Sequence, residues 1–216
     1  MSEKHITSKY NFDTGDILLF HNNNNFSSWT SAFYSIFTNI ITFFTQSKYS
    51  HIGIIIKDPQ FTTPPKKGLY LLESSCENIP DSENNEYKIG VQLQELDTIL
   101  NEYINGQVYW RKLNCIRDKI FYTRLAEAHN TVHNRPYDVI PTDWLKAVLH
   151  INTGNIHRKK TFWCSALVAY IYVVWGFLKP ETPWTLVSPK MLGTESNNKH
   201  EVEFINCTID KEIQII

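Results

Sequence analysis

An α+β domain, with a small antiparallel sheet packed on one cysteine-bearing helix, is the fold that the sequence predicts, and three features predict it. Two apolar runs, Ser50 to Ile56 and Gly68 to Ser75, are separated by the turn-forming pair Pro64-Pro65, the pattern of adjacent antiparallel strands. The stretch Cys164 to Leu178 is apolar throughout and follows a polar loop, as a buried helix would. The chain has 216 residues, enough for one domain with a sizeable core and too few for two full ones.

Taken in order, Gly15-Asp16-Ile-Leu-Leu-Phe20 reads as a turn feeding a short buried strand that stops at Asn22 to Asn25. Between Phe26 and Phe44, Trp29, Phe33, Phe37, Ile40 and Phe44 recur at helical spacing, which predicts an amphipathic helix. No Lys or Arg lies on its polar face, so packing on the core is expected ahead of a lipid-facing role. Weaker strand patterns cover Gly90 to Leu93 and Gln107 to Leu113. Helical spacing returns from Asp118 to Asn134, where Arg135-Pro136-Tyr137-Asp138 ends it because proline disfavours helix in the residue before it. The proline-rich run after Lys179 stops the last helix, and Glu201 to Ile216 has room for one more strand.

Composition narrows the function classes. Lysine and arginine number 21 against 22 acidic residues, so no cationic surplus exists to release counterions from nucleic acid, and no nucleic acid partner is expected. The four cysteines show neither zinc-type pairs nor disulfide-scaffold density, which fits a reducing compartment. The start of the chain lacks the apolar core of a secretory signal, and Ala166 to Leu178 is short of a bilayer span, so an intracellular, cytoplasmic protein is expected.

Chemistry concentrates at Thr161-Phe-Trp-Cys164-Ser-Ala-Leu, where a cysteine opens the apolar helix. Free backbone N–H groups and the positive end of the helix dipole favour a thiolate there. A nucleophilic cysteine needs a base, and His51 begins a buried strand where a polar side chain is otherwise costly. The imidazole in turn needs an acceptor, and Glu73 lies on the strand expected to pair with that of His51. Taken singly, each has an ordinary structural reading: Cys164 as a small buried hydrophobe, His51 and Glu73 as satisfied polar residues. Cys76 is the rival nucleophile, although it follows a strand and opens no helix. His129-x-x-x-His133 has the one-turn spacing of a zinc pair, but no Glu-x-x-His or C-x-x-C completes a ligand set. Two histidines on one helix face are expected, with no metal and no cofactor.

The order Gly15-Asp16-Ile-Leu-Leu, Tyr49-Ser50-His51-Ile-Gly-Ile, Leu72-Glu73-Ser, Arg135-Pro136-Tyr137-Asp138 and Trp163-Cys164-Ser165-Ala-Leu-Val resembles the circularly permuted branch of the NlpC-type papain-like superfamily, and most of all its YiiX-like and poxvirus members. The resemblance runs from about Thr14 to Pro189. It implies a papain-like α+β fold in which the histidine precedes the cysteine, with Cys164 as nucleophile, His51 as base and Glu73 as orienting acid. Tyr137 and Asp138 match a motif that shapes the cleft. The chain carries Trp163-Cys164-Ser165 where related lipid acyltransferases carry Asn-Cys-Glu, which sets it apart from retinol- or phospholipid-specific enzymes. The expected activity is cysteine-dependent hydrolysis or acyl transfer on an amide, ester or thioester, with a peptide or a lipid-type acyl group as substrate. Phe26 to Phe44 is the segment offered for contact with a membrane surface. The competing expectation is a catalytically idle binding module that retains the fold.

Overall fold

A computed structural model describes residues 6–21, 48–75, 79–136, 162–194 and 202–216. The expected helix from Phe26 to Phe44, together with Tyr137, Asp138 and Cys76, lies outside the described residues. The architecture is α+β. In chain order the elements are β1 (Ile17–His21), β2 (His51–Lys57), β3 (Leu69–Ser75), β4 (Gly90–Glu95), α1 (Leu96–Glu102), β5 (Gln107–Arg111), β6 (Leu113–Asn114), α2 (Lys119–Val132), α3 (Cys164–Trp175), β7 (Thr208–Ile209) and β8 (Ile213–Gln214).

Among the described residues one sheet runs β4-β3-β2-β1-β5-β8 with every pair antiparallel, and β6 and β7 form a small second ladder. The expected pairing of β2 with β3 is present, with Ile54 opposite Leu72. The expected strand from Gln107 to Leu113 is instead two strands broken at Lys112. The tail supplies two short strands rather than one, and β8 extends the sheet beside β5.

Strand alternation sends side chains to two cores. Ile17, Leu19, Ile52, Ile54 and Leu72 meet α2 and α3 on one face, whereas Leu18, Phe20, Ile55 and Leu71 meet α1, Phe12 and Tyr103 on the other. The helix α3 is buried along nearly its whole length, which accounts for its apolar composition without a membrane. No helix among the described residues is long and apolar enough to cross a membrane. The helix stops three residues earlier than its apolar run predicts. Gly176 adopts a left-handed conformation at φ 79°, and the amide of Phe177 then donates back to the Tyr172 carbonyl.

The Gly15-Asp16 turn fixes this helix to the sheet. Tyr172 Oη donates to the Gly15 carbonyl at 2.6 Å inside the core. Fully buried Asp16 accepts from the Leu113 amide at 2.9 Å, Trp110 Nε1 at 2.9 Å and the Asp13 amide at 3.0 Å. Burial raises its carboxyl above the usual range against the pull of those donors and of Arg117. Asp16 is thus a structural hub where β1, β5 and β6 converge.

Candidate active site

The three residues singled out for chemistry come from three different elements and meet at one end of the sheet. His51 is the first residue of β2, Glu73 lies within β3, and Cys164 is the first residue of α3. Because β2 and β3 are antiparallel, the start of one adjoins the finish of the other. The carboxylate is not at the strand end: two serines follow it in β3, and it is fully buried. The start of α3 is brought to this sheet end by Ser74, whose hydroxyl donates to the Phe162 carbonyl at 2.6 Å.

His51 Nε2 donates to Glu73 Oε2 at 2.6 Å, with both residues nearly inaccessible to water. Cys164, at the start of α3, acts on the same imidazole and favours its charged form. With Nε2 committed to the carboxylate, Nδ1 is the ring nitrogen left for the thiol. Burial pushes the His51 pKa down, yet the Glu73 charge and the bonds to Cys164 and Glu73 together hold it well above the ordinary imidazole value. Phe20, opposite His51 in the β1–β2 register, packs against the ring at a centroid distance of 5.6 Å.

Two further members were not expected. Ser75 Oγ donates to Glu73 Oε1 at 3.0 Å, and Gln92 Nε2 donates in turn to Ser75 Oγ. Gln92 is the cross-strand partner of Glu73 in β4 and is buried. Each carboxylate oxygen of Glu73 therefore has its own donor, which fixes the plane in which it meets the imidazole. The order Gln92, Ser75, Glu73, His51, Cys164 is a buried line of polar groups ending in sulfur.

At the cysteine end, α3 begins without a side-chain cap, since Trp163 at the N-cap makes no such bond. The first N–H groups of the helix are left for other acceptors. Trp163 is half-buried and reaches the Val187 carbonyl through Nε1 at 3.4 Å, while Ser165 Oγ donates to the same carbonyl at 2.6 Å. Those contacts hold the first turn of α3 against the segment after the helix. The other described thiols are differently placed. Cys115 and Cys207 are half-buried, and burial raises both, Cys207 to about 11.

No protein-family model matches the chain, and no curated protein matches it. Among solved structures it is similar to the crystal structure of the metalloprotein yiiX from Escherichia coli O157:H7, DUF1105, at 15% identity and a TM-score of 0.48, over 94% of this chain and 99% of that one.

Proposed function

We propose that the chain is a cysteine hydrolase or acyltransferase of the permuted papain-like kind, with Cys164 as nucleophile, His51 as base and Glu73 as the group that orients the base. The observation that carries this reading is a single buried imidazole that is bonded to a carboxylate and whose charged form is also favoured by the cysteine that opens a helix. A structural cysteine needs no imidazole beside it, and a structural histidine needs no thiol.

In this reading His51 takes the Cys164 proton, and the resulting imidazolium lies between Glu73 and the thiolate. The sulfur attacks the carbonyl carbon of an amide, ester or thioester, and the carbonyl π electrons move to oxygen. The backbone N–H of Cys164 at the uncapped helix start faces that developing charge. His51 then returns its proton to the leaving amine, alcohol or thiol, and the bond to it breaks. Water or another acceptor, deprotonated by His51, releases the acyl group from sulfur. Peptide and lipid-type acyl groups are the two substrate classes that this chemistry serves.

The test is a panel of activated acyl esters and thioesters, read by intact and peptide mass spectrometry after acid quench. One acyl group on the peptide carrying Cys164 is expected, absent in Cys164→Ala and slow to form in His51→Gln. Acylation of another residue, or none across short and long acyl chains and peptide thioesters, sinks the proposal.

A further inference from the structure

The second place where titratable groups gather is the C-terminal end of α2. His129 lies in its last turn and His133 is the residue that closes it. A one-turn spacing puts both rings on one side of the helix. The sequence offers no obvious third donor, but the fold brings one from 46 residues away: Glu83 Oε2 meets His129 Nε2 at 3.0 Å and His133 Nδ1 at 3.2 Å. One donor atom from each of the three lies within 4.8 Å of the others. Metal–ligand bonds of about 2.0–2.1 Å in a tetrahedral arrangement put donor atoms roughly 3.3 Å apart, so only a small adjustment would seat an ion among them.

The arrangement is built rather than incidental. Glu83 is presented by a loop anchored on fully buried Asp81, whose Oδ1 accepts from the Glu83 amide at 2.9 Å and the Leu93 amide at 3.3 Å. Lys88 pairs with Asp81 and also donates to Asn134 Oδ1 at 2.7 Å, which ties the loop to the residue after His133. Phe61 stacks on the His129 ring at 4.1 Å and walls one side. No described residue meets the buried Nδ1 of His129, so stacking and whatever Nε2 holds fix that ring. The carbonyl end of a helix also favours positive charge.

We propose that Glu83, His129 and His133 form a binding site for a zinc-type divalent cation, with two imidazole nitrogens, one carboxylate and at least one coordination position left for water or a small ligand. The ion pins the loop from Asp81 to Lys88 to the end of α2. The site contains no member of the Cys164 constellation, so it stands or falls independently of the proposed catalysis. One backbone contact links the two regions: the Phe162 amide donates to the Pro136 carbonyl just beyond α2.

The experiment strips the full chain with a chelator, adds zinc, and measures stoichiometry by metal analysis and affinity by competition with a chromogenic chelator. A parallel titration with Co(II) reports the ligand set in the visible spectrum. One equivalent is expected, with visible ligand-field bands and no sulfur-to-metal charge-transfer band. Glu83→Gln and His133→Asn should each weaken binding by at least ~10-fold, while Cys164→Ala binds as the parent does. His133 is 35% exposed at a helix end, so its variant should fold, as circular dichroism will show. Absence of a stoichiometric ion, undiminished binding in both Glu83→Gln and His133→Asn, or loss of binding in Cys164→Ala each overturns the site.

Discussion

Two clusters in this molecule join a carboxylate to imidazole, and they use that pairing in opposite ways. At Glu73 the oxygens are divided, one to His51 and one to Ser75, and Cys164 acts on the same ring. At Glu83 a single oxygen is shared by two rings, and three donors converge on one point. The first arrangement raises the His51 pKa well above the ordinary value, against burial. In the second, burial pushes Glu83 up, but the His129 bond and the charges of His129, His133 and Lys88 hold its carboxyl below the usual range. In the proposed readings, the same residue types make a proton relay when their partners diverge and a ligand set when they converge.

Removal of the sulfur is the largest expected difference. Cys164→Ala should lower acyl turnover by at least ~10³-fold while the melting temperature stays close to that of the parent, and turnover persisting at a tenth of the parent rate would break the relay reading. Next comes alkylation by iodoacetamide near pH 7, where a thiol at about 11 is only roughly one part in 10⁴ thiolate. Cys164 should be modified at least ~100-fold faster than Cys207 in the folded protein, as peptide mapping will show. Faster labelling of Cys207 or Cys115 would move the nucleophile elsewhere.

Glu73→Gln keeps shape and one acceptor but withdraws the charge beside His51. A fall in kcat of ~10-fold or more with little change in KM is expected, together with a loss of a few degrees in Tm because the carboxylate is fully buried. A Tm change without a kcat change would leave Glu73 purely structural. The raised His51 pKa also sets a pH dependence of stability. The folded state holds this proton more tightly than the unfolded chain, whose imidazole titrates near 6.5, so the stabilisation is fully present below that value. It is lost as pH rises through the higher folded value. Melting temperature should therefore decline across that alkaline range in the parent, and this component should be missing in His51→Gln. The smallest effect is expected from Ser75→Ala, which orphans one oxygen of Glu73 and should cost about 1–3 kcal/mol with a fall in kcat of only ~2–5-fold.

What the sequence makes legible is the part written in local pattern. The β-branched run of β2 and the apolar run of β3 announce both strands, and a cysteine opening an apolar helix announces α3. Ser75 and Gln92 are hidden because Gly90 to Leu93 reads only as a weak strand pattern that assigns no partner to its polar residue. In the fold Gln92 and Gln94 are both buried, at 1% and 0% exposure, and Gln92 serves the Glu73 line. Glu83 is hidden for a different reason: it sits in a polar stretch without periodicity, and only the anchoring of that stretch by Asp81 carries it to α2. The short helix α1 was not expected, since Leu96, Ile99 and Leu100 give too few turns to stand out from the neighbouring strand pattern. Gly176 did stand in plain view, and its left-handed geometry explains why α3 ends before its apolar run does.

The contact between Tyr49 and Glu212 reaches across 163 residues, and Tyr49 lies two positions before His51. Glu212 also accepts from Thr194, and Arg111 grips the Asp210 and Leu192 carbonyls, so the segment around β7 and β8 braces the approach to β2. On the ribosome, His51 and Glu73 emerge long before Cys164, and Cys164 emerges before that brace. Because contacts of such sequence separation close late and slowly, the sulfur meets its imidazole only once the fold is nearly whole. In the proposed reading, the nucleophile is therefore assembled only in the finished molecule.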